Sequence, residues 1–472
     1  MDTKKLRQKI LDLAIHGKLV PQDPNDEPAS VLLERIRKEK EQLIKEGKIK
    51  APKKVKSAGD TSHYPKEVSF EVPEGWCWCK ITDVVDKLTD GTHNSPKSYP
   101  SGTYMYVTAK NIKNGGLDLS NITYVNEEVH REIYSRCNPE KGDILYIKDG
   151  ATCGISTINN LDVEFSLLSS VALIKPNKNV LNTYLNLFLQ SAFCYRNVRE
   201  SMKGVGITRI ILKQMELWDI PLPPYAEQNR IVTAAEQLLQ IAGGIEREQI
   251  ELGENIEKAK ARILDLAIHG KLVPQDPSDE PAIELLKRIN PNFTPSDNLH
   301  YEGDLPDGWC FAQLQEVAEY GDTSNVDVSS IDPFNWVLEL EDIEKDTAFI
   351  IEKRTKAERE INGVRHSFRK GQILYSKLRT YLNKVLIAPE DGFCTTEIVP
   401  ITASKALLSE YLLIVLRSPY FMEYTSSCGY GVKMPRLGTN DAKKAIIPIP
   451  PIAEQVRIVK KVSDLMGVIS SL

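Results

Sequence analysis

Two stretches of this chain repeat one another almost letter for letter. Ile10 to Ala29 reads ILDLAIHGKLVPQDPNDEPA, and Ile263 to Ala282 reads ILDLAIHGKLVPQDPSDEPA. Over twenty positions they differ only at Asn25 and Ser278, and the copies lie 253 residues apart. Solenoid units recur every ~20–50 residues, so what has been doubled is a unit of domain size. Any fold for the chain must therefore hold two related halves.

The second copy is fed by a long helical pattern. Ile231, Ala235, Leu238, Ala242, Ile245, Gln249, Leu252, Ile256, Ala259, Ile263 and Leu266 alternate in steps of four and three, and all but Gln249 are apolar. An a/d seam over five heptads predicts a coiled coil rather than a core helix with a broad buried face. At ~1.5 Å per residue it would run roughly 53 Å, and Gly243 and Gly244 should weaken it locally by roughly 1 kcal/mol each. The register recurs in Ile458, Val462, Leu465, Ile469 and Leu472, and in Leu6, Ile10 and Leu13. Mapped onto the central helix, the two ends of the chain together rebuild most of a second copy, with a short gap because the last helix stops at Leu472. The expected fold class is α+β. Two mixed α/β units are joined by a long antiparallel two-helix coiled coil, with cyclic two-fold pseudo-symmetry.

The chain of 472 residues is long enough for several domains, and its 41% apolar content supplies ordinary cores. A net charge of −5 means that any nucleic-acid binding must come from local patches. The eight cysteines include no CxxC pair, which argues against a zinc site or disulfide framework and suits a reducing compartment. Without an apolar leader or a run of eighteen apolar residues, the expected location is the cytoplasm.

Five segments are expected: an N-terminal helical region and linker at 1–66, a globular unit at 67–224, a central helix and loop at 225–300, a second globular unit at 301–451, and a C-terminal helix at 452–472. Within the first, a second helix is expected over 29–46, and 47–66 reads as a flexible polar tether. The globular units open alike, Val72-Pro-Glu-Gly-Trp-Cys-Trp against Leu305-Pro-Asp-Gly-Trp-Cys-Phe, and share Lys141-Gly-Asp-Ile-Leu-Tyr against Lys370-Gly-Gln-Ile-Leu-Tyr. They also close alike, on Ile-Pro-x-Pro-Pro-x-Ala-Glu-Gln before a helix. Elsewhere they diverge.

Catalytic signatures are missing from the sequence: no P-loop, no H-E-x-x-H, no G-x-S-x-G. Leu222-Pro-Pro-Tyr225 superficially matches an amino-methyltransferase tetrapeptide but lacks its leading Asn or Asp. It reads as a Pro-rich helix start. His16 and His269, next to Gly at the ends of the duplicated helices, read as capping residues.

Several polar loops are candidates for DNA contact. The first unit offers Thr89, Asp90, Gly91, Thr92 and His93, then Lys110 and Asn111, then Lys203 and Arg209 around a Gly-x-Gly loop. The second offers Lys433 and Arg436 in a matching loop, and Lys377 and Arg379 within residues 350–384, where ten Lys/Arg stand against three Asp/Glu. Arg and Lys can meet phosphates and guanine, Asn can pair with adenine, and glycine permits close backbone approach.

As an ordered set, the paired Pro-x-Gly-Trp openings, the Ala-Glu-Gln closings and the doubled ILDLAIHGKLVPQDP segments resemble the DNA-specificity subunit of type I restriction–modification systems. The resemblance covers essentially the whole chain. It implies two target-recognition domains, each reading one half of a bipartite site in double-stranded DNA, and helices that act as spacer and docking platform. It also implies a subunit without catalysis. Two modification subunits would supply S-adenosylmethionine-dependent methylation, and two restriction subunits, translocase–nucleases using ATP and Mg, would complete the assembly. The competing reading is a coiled-coil protein-interaction scaffold without direct DNA readout.

Overall fold

The computed structural model describes residues 1–46, 70–201, 209–297, 301, 304–347, 349–431 and 434–471. The tether expected at 47–66 lies outside the described residues. The chain divides into two compact units, Met1–Gln249 and Ile250–Leu472, and the boundary falls inside one continuous 44-residue helix, Tyr225–Ile268. Among the described residues no helix is long and apolar enough to cross a membrane. All eight cysteines are free thiols.

Each unit is built on a four-stranded antiparallel sheet of the same order. In the first unit the strands run Val85–Asp90, Val171–Pro176, Ile144–Ile147 and Ser156–Ile158. In the second they run Ala318–Tyr320, Ile398–Ala403, Ile373–Ser376 and Val385–Ile387. The central strands ILYI and ILYS are buried along their whole length, because helices pack one face and a second sheet the other. That second sheet has three strands in the first unit and four in the second, and in each it includes one parallel pair. Here the units differ most.

The frame around the sheets is duplicated bond for bond. The strand opened by Pro-x-Gly-Trp pairs antiparallel with the Ile-Pro-x-Pro strand: Trp78 lies opposite Pro221, and Phe311 opposite Pro448. The first and last strands of each unit are thus neighbours. Trp76 Nε1 donates to the buried Glu227 carboxylate at 2.9 Å, and Trp309 Nε1 to Glu454 at 2.9 Å. The second oxygen of each carboxylate accepts from Gln22 or Gln275, both at 3.0 Å. Gln228 accepts from Leu181 N and donates to Pro223 O, as Gln455 does with Leu408 N and Pro450 O. The Ala-Glu-Gln motif is therefore a clasp: its glutamate holds the Trp and Gln side chains, and its glutamine satisfies backbone groups that would otherwise cost stability. Leu222-Pro-Pro-Tyr225 is the end of the closing strand and the start of the long helix.

The helix termini follow the duplicated sequence. Thr3–Ile15 is capped by Asp2, whose carboxylate accepts from Lys5 N at 3.0 Å. It ends at His16, whose Nδ1 lies 2.7 Å from Asp12 O; His269 sits 2.8 Å from Asp265 O in the same way. Gly17 and Gly270 follow with φ of +64° and +62°. A Cβ on either would fall 2.3 Å from the proline of its Pro-x-Gly-Trp motif, so both the left-handed turn and the close approach demand glycine.

The long seam is only partly used. In the first unit, Thr3–Ile15 runs antiparallel to the central helix: Gln249 donates to Met1 O, Arg7 pairs with Glu246, and Asp26 with Arg230. Ile10, Leu11 and Ala14 are buried with Ile231, Val232, Ala235 and Ala242. In the second unit, Ile458 and Val462 of the helix Ile452–Ser470 join Ala267 and Ile268 in the core. The expected seam residues Leu238 and Leu252, however, are 40% and 51% exposed, while Leu239 packs inward. Ile231, Ala235 and Ala242 stay on the seam, with Leu239 in place of Leu238. A 13-residue partner covers only about four turns of it.

Candidate nucleic-acid interface

In both units a turn follows the central strand and is held against a loop near the end of the unit. In the first, Ile210 N donates to Lys148 O at 2.9 Å and Asp149 bridges Arg209; in the second, Leu437 N donates to Lys377 O at 2.9 Å and Leu378 bridges Arg436. Arg209 and Arg436 thus occupy the same place in the fold. Both side chains are about half exposed, at 54% and 42%, and each is ion-paired, with Asp149 at 3.2 Å and with Glu397 at 2.8 Å. The Glu397 pair is two-pronged and raises the Arg436 pKa above its ordinary value.

In the first unit this corner is a charge cluster. Lys148, 3% exposed, stands 3.3 Å from Asp90 and 3.8 Å from Asp149. Asp90 also meets Arg136 at 3.5 Å and His93 at 3.3 Å, and Arg136 donates to Gly91 O. Asp90, at the end of its strand, and Arg209, far apart in sequence, meet through Lys148 and Asp149. A buried ammonium between two carboxylates is retained because removing one partner leaves an uncompensated buried charge.

Not every candidate faces outward. Asp90 is 2% exposed. Asn111 is 5% exposed and accepts from Thr108 N at 3.0 Å while donating to Asp118 O at 3.1 Å, so its amide staples its own loop. Gly91 packs where a Cβ would lie 1.9 Å from Leu167 O. Thr89 is half-buried on its strand, and Thr92 is held to the second sheet by Leu167 O at 2.8 Å. His93 and Lys110 are exposed, Lys110 on the turn Ala109–Asn111. Lys203 and Lys433 lie outside the described residues.

The basic excess of residues 350–384 is largely neutralised within the unit. Lys353 pairs with Glu390, Arg354 with Glu352, Arg359 with Asp342, Arg365 with Glu339 and Arg369 with Asp322. Lys356 and Lys384 donate to backbone carbonyls. Lys370, Lys377 and Arg379 have neither an ion pair nor a side-chain hydrogen bond with a described residue. Arg379 is brought beside Pro435, its N–H donating to Pro435 O at 2.7 Å. Tyr430 bridges Arg436 next to it, and Tyr430 is 60% exposed.

Lys148, Asp149 and Arg136 were not among the candidates. The internal match from Lys141 to Tyr146, continued two residues, aligns Lys148 with Lys377 and would have drawn attention to it.

The duplicated frame agrees with the comparisons to known proteins. The family model described as Type I restriction modification DNA specificity domain matches residues 73–252 and 306–471, and the chain belongs to that family. The EcoAI specificity subunit of Escherichia coli is 29% identical over 396 residues, 67% of this chain and 62% of that protein. The chain thus spans somewhat less than two thirds of that relative. The Escherichia coli EcoEI specificity subunit is 25% identical over 567 aligned positions, covering 99% of this chain and 90% of that one. Among solved structures, a chain from a study of complex assembly and conformational transition in the type I restriction–modification system superposes with a TM-score of 0.58 at 17% identity. It covers 85% of this chain and 93% of the other, a likeness of fold.

Proposed function

We propose that this chain is the DNA-recognition subunit of a type I restriction–modification complex and performs no chemistry of its own. Each unit reads one half of a two-part target in double-stranded DNA, and the helices hold the halves at a set spacing. The observation that carries this reading is the recurrence of a half-exposed arginine, Arg209 and Arg436, at the same corner of two units whose frames are alike and whose outer loops are not. Two modification subunits supply S-adenosylmethionine-dependent methylation, and two restriction subunits bring ATP- and Mg-dependent cleavage. The central helix leaves Leu238, Ile241, Ile250 and Leu252 exposed, apolar area suited to docking protein partners. The same residues are what a pure interaction scaffold would present.

Salt separates the two. Binding of duplex DNA by the complex with its modification subunits should fall steeply with ionic strength, since each neutralised phosphate releases counterions. Arg209→Ala and Arg436→Ala should each lower the slope of log affinity against log salt by about 1. Slopes that stay near zero, or are unmoved by both substitutions, would favour the scaffold.

A further inference from the structure

The turns after the two central strands sit at matching places and share a closing hydrogen bond. Gly150 O accepts from Cys153 N at 3.1 Å, and Arg379 O accepts from Leu382 N at 2.8 Å. Both turns begin and end left-handed, with φ of +79° at Gly150 and +102° at Gly154, against +51° at Arg379 and +48° at Asn383. The first unit meets this requirement with glycine twice. The second does not use glycine at all, although an L side chain rarely takes such a backbone.

Asn383 has an internal reason to be there. Asparagine tolerates this region, and its buried side chain donates to Arg417 O at 3.4 Å. Arg379 has none. It is exposed and its guanidinium is unpartnered among the described residues, whereas the arginines around it at 354, 359, 365 and 369 are all ion-paired. A Cβ on the matching Gly150 would meet nothing within 4 Å, so the position opens outward. A strained residue whose side chain does nothing inside the protein marks a contact made outside it.

We propose that Arg379 is a specificity-determining contact of the second unit, its guanidinium reading the O6 and N7 acceptors of a guanine in the major groove. This rests on the DNA-reading function proposed above. Phosphates line the whole duplex, and Lys377 two residues earlier could reach one without backbone strain. A base edge must be met from one fixed place, and the guanidinium fork matches guanine with two hydrogen bonds. The first unit carries glycine at this corner, so the two units differ where they would read differently.

The test uses the full chain co-expressed with its modification subunits, with methylated-adenine mapping of the host genome and binding selection from a random-sequence duplex library. Arg379→Gly relieves the backbone; Arg379→Lys keeps the charge and removes the fork. Expected for both is a target in which one G·C position of one half-site loses at least about tenfold preference, the other half unchanged. Arg379→Gly should melt at or above the wild-type temperature. A target unchanged in Arg379→Gly, or an even loss across all sequences that Arg379→Lys restores, would overturn the proposal. So would a lowered melting temperature with the target intact. A wild-type complex with no two-part target would overturn the function proposed above as well, whereas a two-part target that survives Arg379→Gly overturns only this inference.

Discussion

Trp76 and Trp309 show how far single residues could be read. That both open their units was legible, because the same letters recur with the same neighbours. That each indole donates to a glutamate some 150 residues later was not, because a sequence motif does not state its long-range partner. Trp76→Phe and Trp309→Phe should each cost about 1–3 kcal/mol, the penalty for leaving a buried acceptor short of a bond. Scanning calorimetry of the full chain should show the two losses to be similar, and no loss in either would refute the clasp. Asp90 and Asn111 were legible as polar loop residues but not as inward-facing ones. Short polar side chains bond their own backbone as readily as a ligand, and sequence does not say which. The pairing of Lys148 with Asp90 depends on strand register and was equally hidden.

For the elements, the 44-residue helix was expected from its repeat, and Tyr225–Ile268 contains the whole predicted seam. Its partners were misjudged chiefly where they end: the pairing holds at Ile231, Ala235 and Ala242 and has lapsed by Leu252, while Leu238, inside the paired stretch, faces outward. A spacing of threes and fours cannot reveal where a neighbouring helix stops. The side chains from Glu251 to Glu254 are all exposed, so seven residues inserted there disturb no packing. On the proposed function, the helix would lengthen by about 10 Å, and the unread gap between half-sites should grow by about three base pairs at ~3.4 Å each. Mapping methylated sites for the insertion variant would reveal it, and an unaltered gap would count against the helix as the spacer.

Across the whole molecule, the doubling announced by one twenty-residue repeat recurs in sheet order, in the clasp and in the paired corners. The second sheets were not legible, since the two units diverge there and no repeat guides the reading. Replacing residues 67–224 with the matching stretch of another family member should change one half of the target and leave the other intact; a change in both would refute independent reading. Each unit's opening strand lies hydrogen-bonded beside its closing strand, so everything between departs from and returns to the same spot. For heredity this makes each head an exchangeable cassette: recombination between genes can deliver a new interior, and the backbone on either side need not shift to receive it.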